Sequence, residues 1–217
     1  ATVPLYWVVG LMMKNSISLF LALALLLDLT IPFFLAPFYK GYSHSMQVMS
    51  VLGNNKSPLH FIYNLWLVLC GIILLMSGFK IYEIVSQKSK NIAVILFIVI
   101  LIYAIGGCIL SGIFSVGETK SLNTIPEKIH GYGAVIGFMC LTFAPLLISL
   151  YWFRIKEIPL ALFSMICFLL AFIFFTIFVM ADKPNYKDTI IAFEGLWQRL
   201  SLLFMYLPLG CLILLEK

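Results

Sequence analysis

Residues 92–115 read IAVILFIVILIYAIGGCILSGIFS, 24 residues without one charged side chain. A helix rises about 1.5 Å per residue, so about 20 apolar residues cross the roughly 30 Å hydrocarbon core of a bilayer. The run is too long for a buried strand and shows no period-two alternation, which excludes a membrane β-barrel strand. In lipid every backbone N–H and C=O must be paired within the segment, and a helix does this by itself. Five further runs meet the same test, at 17–38, 59–79, 130–153, 158–181 and 197–215. The expected fold is all-α, a polytopic membrane bundle of six transmembrane helices spanning residues 17–217.

Composition agrees. The chain has 217 residues, 63% hydrophobic and 11% charged, whereas soluble domains are about 45–50% apolar and about 25% charged. A disordered chain, a secreted disulfide scaffold and an ordinary soluble enzyme are excluded. The net charge is +5, but the basic residues are scattered over short loops rather than drawn into a stripe. Nucleic acid is therefore not expected as a partner, and with no P-loop or dinucleotide turn in the sequence neither is a nucleotide. Cys70, Cys108, Cys140, Cys167 and Cys211 all fall inside apolar runs and lack CxxC spacing. They read as small buried hydrophobes.

Residues 1–16 stand apart as a short N-terminal segment. Ala1 to Met12 is apolar but too short to span. Met13-Lys14-Asn15 has the look of a translation start, so 1–12 read as vector-derived or interfacial. The connections 80–91 and 154–157 carry Lys80, Lys88, Lys90, Arg154 and Lys156, five basic residues in sixteen. The opposite loops carry six in forty-nine. By the positive-inside rule the denser side is cytoplasmic, as are both termini, and the expected location is the cytoplasmic (inner) membrane.

Polar chemistry collects on the other side. His44, His60 and His130 all lie there. The first long loop holds Tyr42-Ser43-His44-Ser45 and Ser50-Val51-Leu52-Gly53, and Asn64 follows in the second span. Gly106, Gly107, Ser111 and Gly112 close the third span, Glu118 follows it, and Glu194-Gly195-Leu196-Trp197-Gln198-Arg199 opens the sixth. Ionisable groups at membrane depth face the bundle interior and mark function. The outer ends of spans two, three, four and six are expected to ring one polar pocket.

At these residues the sequence resembles the bacterial and archaeal multi-pass family known as domain of unknown function 998. The resemblance rests on Gly41-Tyr42-Ser43-His44, Ser50-x-Leu52-Gly53, Ser57-Pro58 and Asn64. It continues through Ser111-Gly112-x-Phe114, His130-Gly131 and Gly195-Leu196-x-Gln198-Arg199. It covers about residues 17–215 and implies a six-helix fold and a set of polar positions, but no reaction.

Several chemistries fit these residues. His44 or His130, with Glu118, can act as acid and base. His44 with Ser45 or Ser50 could be a base and a nucleophile, although no GxSxG elbow is present. His44, His130 and Glu118 are the residues that could hold a metal, which the spacing does not favour. No cofactor motif is recognisable. Arg199, Asn64 and Glu194 are candidates for holding a ligand headgroup, and Arg199 could equally snorkel or pair with Glu194. Asp28, in the middle of the first span, reads as a packing pin or as a proton or ion site. The expected function is binding, and possible processing, of a lipid-like or small amphipathic molecule in an outward pocket. A small transporter and a non-catalytic subunit of a membrane complex are the alternatives.

Overall fold

The computed structural model describes residues 5–115, 117 and 122–215, with side chains from residue 16 onward. Its helices are α1 (Leu5–Leu35), α2 (His60–Ser86), α3 (Lys90–Ile102), α4 (Ile125–Leu141), α5 (Ala144–Arg154), α6 (Ile158–Ala181) and α7 (Glu194–Leu215). The third span continues beyond α3 as a wider π-helical stretch, Tyr103–Leu110, and one last turn, Ser111–Ile113. Together α4 and α5 make the fourth span. Six segments are long and apolar enough to cross a membrane, as expected: Ser16–Phe38, His60–Ser86, Lys90–Ile113, Ile125–Arg154, Ile158–Ala181 and Glu194–Leu215.

Consecutive spans pack side by side, and the sixth returns to the first, so the six close into a ring. The outside of that ring is apolar. Phe34 is 71% exposed, Phe61 70% and Ile125 73%, which suits lipid and not water. Without a hydrophobic force between helices in lipid, cohesion comes from close packing and interhelical hydrogen bonds. Glycines supply the closest approach. A Cβ on Gly106 would stand 2.5 Å from the Gly133 carbonyl oxygen, and one on Gly137 would stand 2.8 Å from the Gly107 nitrogen. The backbones of the third and fourth spans therefore touch.

Two spans are interrupted, each for a local reason. In the third, the Ser111 hydroxyl donates to the Gly106 carbonyl at 2.9 Å, five residues back, within the widened stretch. In the fourth, Pro145 has no N–H for the Leu141 carbonyl. Thr142 turns its hydroxyl to the Phe138 carbonyl at 2.9 Å, and α4 gives way to α5 there. α4 starts earlier than the apolar run. Thr124 and Glu127 cap each other's backbone N–H groups in a reciprocal box, which puts His130 more than a turn inside the helix.

Lys80 departs from the sequence reading. The apolar run ends before it and predicts a loop charge, but α2 runs on to Ser86. Lys80 is buried inside the helix and donates to the Ser18 hydroxyl of α1 at 2.7 Å. The second connection is cut to residues 87–89.

Candidate functional site

The first long loop, residues 36–59, is clamped to the start of α7. The Leu196 N–H donates to the Ser45 carbonyl at 3.0 Å. Gly195 lies so close that a Cβ there would collide with the Gln47 and His44 carbonyl oxygens. One Nη of Arg199 donates to the His44 carbonyl at 2.6 Å and the Gly195 carbonyl at 2.8 Å, and the other to the Tyr42 hydroxyl at 2.7 Å. That second Nη also reaches His44 Nδ1 at 3.2 Å. Arginine only donates, so His44 Nδ1 is an acceptor and its proton sits on Nε2. The His44 ring stacks on Phe33, 4.4 Å between centroids. Burial, helped by the Arg199 charge, lowers its pKa from the ordinary histidine value. Burial raises the Tyr42 phenol, which the neighbouring guanidinium partly offsets.

Arg199 thus neither snorkels nor stands open to a headgroup. Its Nη groups are spent on the loop, and its buried Nε has no partner. Asn64 plays a similar part. It donates to the Gly53 carbonyl at 3.0 Å, and a Cβ on Gly53 would strike it. His60 bonds the Ser57 carbonyl through Nδ1 at 2.8 Å. Glu194 opens α7 and is half-buried. Glu118 lies outside the described residues.

Beneath the clamp is a cavity of about 40 Å³ bordered by Asp28, Ser50, Tyr63, Tyr103, Ser111, His130 and Gln198, with Met49, Leu67, Gly107, Ala134 and Phe138. Of the candidate site residues it brings together Asp28, Ser50 and His130, and it takes in Gly107, Ser111 and Gln198 of the expected polar ring. At roughly 10–15 Å³ per water on this measure, it has room for about three waters or one small polar group. Gln198 roofs it, accepting from the Met49 N–H at 2.7 Å.

His130 has a defined tautomer. Its Nδ1 lies 3.1 Å from the Ser111 carbonyl oxygen and 2.8 Å from that of Phe114. Carbonyls only accept, so Nδ1 carries the proton and Nε2 the lone pair. These carbonyls come from the end of the third span.

At the deep end Asp28 is 4% exposed. Its Oδ1 accepts from the Trp66 indole N–H at 3.0 Å, and its Oδ2 from the Tyr206 phenol at 2.9 Å. Tyr206 has one proton and gives it to Asp28. The 2.5 Å bond between the two phenols therefore runs from Tyr103 to Tyr206. Pro32 lies four residues after Asp28, so the Asp28 backbone carbonyl also lacks its usual helical donor.

Among the described residues no three His, Cys, Asp or Glu side chains come together to hold a metal, and all five cysteines are free thiols. The positions that sequence reading missed are Tyr63, Trp66, Tyr103 and Tyr206. They carry a weak signal: a phenol or indole amid apolar spans, with Tyr103 just before Gly106-Gly107.

The family model described as "Protein of unknown function (DUF998)" matches residues 22–215. The chain belongs to the DUF998 family. The residues on which the DUF998 resemblance rested now have a common place. The 41–53 loop, Asn64, the Ser111–Phe114 segment, His130 and the 195–199 segment meet at one end of the bundle. No curated protein and no solved structure matches the chain.

Proposed function

We propose that this membrane protein binds a small amphipathic molecule by its polar head, in the cavity between Asp28 and His130. The observation that carries the reading is the imidazole tautomer: two carbonyls hold the proton on Nδ1 and leave a basic Nε2 on a residue that borders the cavity. Across the same space stands a carboxyl group held by two donors. A basic nitrogen and a carboxyl group bordering one water-sized cavity can take a proton from a hydroxyl or amine and return it. The size limits the head to one such group, and the apolar part of the lining, Met49, Leu67, Ala134 and Phe138, suits the start of an apolar tail. His44, Ser50, Glu118 and His130 were the candidates for chemistry. Of these, Ser50 and His130 border the cavity and His44 belongs to the clamp.

The basic residues left at the other end, Lys88, Lys90, Arg154 and Lys156, favour that end as cytoplasmic. The cavity then lies toward the outer face of the cytoplasmic membrane.

Trp66 supplies the test, because its indole is bonded to Asp28. In protein with Trp7, Trp152 and Trp197 changed to Phe, decanol or decylamine should shift Trp66 emission saturably. The shift should be lost in His130→Ala. Emission that never saturates, or that changes equally in the variant, contradicts the reading.

A small transporter is the second reading. The interruptions at Tyr103–Leu110 and at Thr142 favour it, since broken helices at membrane depth recur in transporters.

A further inference from the structure

The row Tyr103, Tyr206, Asp28 has a property beyond ligand binding. Each bond in it joins two groups that can both give and take a proton. Tyr103 borders the cavity, Tyr206 links it to Asp28, and all three are buried. We propose that Tyr103 and Tyr206 form a two-phenol proton wire from the cavity to Asp28.

The transfer balances without a co-reactant. A cavity water, recharged by His130 imidazolium, gives a proton to the Tyr103 oxygen. Tyr103 passes its own proton to the Tyr206 oxygen, and Tyr206 passes its own to Asp28 Oδ2. Three O–H bonds form, three break (water's included), and the carboxylate ends as a carboxylic acid. The row then points the other way: Asp28 donates to Tyr206, Tyr206 to Tyr103, and Tyr103 to water. Trp66 is donor-only and holds Oδ1 in both states. Asp28 also borders the cavity, so water could reach it directly. The phenols matter because they are fixed in line and need no water to be ordered.

The titratable groups close enough to feel the Asp28 charge are Tyr63 and Cys70 from α2, Tyr103 from the third span and Tyr206 from α7, and Cys108 of the third span lies beside Cys70. His130 of α4 stands across the cavity. The wire needs no ligand, so it stands or falls separately from the decanol titration.

The test is time-resolved infrared spectroscopy of the protein in lipid after a pH jump between about pH 9 and 4. A carboxylic C=O band should appear in wild type and be missing in Asp28→Asn. In Tyr206→Phe and in Tyr103→Phe, each lacking one oxygen, the band should persist and rise at least about tenfold more slowly. Unchanged rates in both variants overturn the wire. The absence of any Asp28 band across that range overturns the protonation site itself. Circular dichroism on the same samples identifies a variant that has failed to fold, and Tyr82→Phe, a half-buried phenol that does not border the cavity, should keep the wild-type rate.

Discussion

Tyr206 of α7 donates its phenol to Asp28 of α1 at 2.9 Å, at mid-depth in the bundle. This joins the first and last spans and closes the ring. Tyr206→Phe leaves Oδ2 without its donor. A lost buried hydrogen bond with its partner unsatisfied costs about 1–3 kcal/mol. Chemical unfolding in mixed micelles should show a loss in that range. A loss equal to that of Tyr82→Phe, a half-buried phenol elsewhere, would show that the bond contributes nothing.

The glycine contacts predict opposite results at two positions. A Cβ on Gly137 meets the Gly107 backbone nitrogen at 2.8 Å, and backbone cannot yield cheaply. Gly137→Ala should destabilise by about 1–3 kcal/mol. On Gly210 the nearest atom is a Leu25 methyl at 3.9 Å, so Gly210→Ala should be neutral or slightly stabilising through helix propensity. Thermal unfolding of the pair checks both.

Arg199 is a clamp on the 42–47 loop. Arg199→Lys keeps the charge but cannot reach the His44 and Gly195 carbonyls and Tyr42 together. Backbone amide exchange in residues 43–49 should rise in Arg199→Lys and more in Arg199→Gln, with α3 and α6 unaffected. Unchanged exchange in this loop would mean that other contacts hold it.

His44 gives a pH dependence with a definite sign. Its pKa is lower in the folded protein than unfolded, chiefly through burial. The unfolded chain therefore binds the proton more readily. The contribution of His44 is complete above about pH 6.5 and is lost as pH falls through its lowered folded value. The melting temperature should drop below that pH, and His44→Phe, which keeps a ring on Phe33, should flatten the drop. A stability that rises on acidification would reverse the assignment.

The six spans were legible because a 20-residue apolar run has no other solution in lipid. Their ends were less so. Lys80 looked like a loop charge, since a lysine in α2 becomes tolerable only when α1 brings Ser18 to it. Asp28, Ser50 and His130 were picked out as polar residues in apolar surroundings, and all three border the cavity. Arg199, His44 and Asn64 carried the same signal but serve backbone carbonyls or one another, which spacing cannot reveal. Tyr103 and Tyr206 were passed over because phenols are ordinary in spans. Only the folded ring shows that their oxygens meet, 103 positions apart.

The central claim is that His130 presents a basic Nε2 to a cavity that accepts a small polar head. Nitrogen-15 NMR of histidine-labelled protein in bilayers, assigned with His130→Gln, tests it most directly. The account predicts a neutral ring protonated on Nδ1, with the Nε2 signal moving saturably as decanol is added. A ring protonated on Nε2, or an Nε2 signal indifferent to decanol and to decylamine alike, would contradict it.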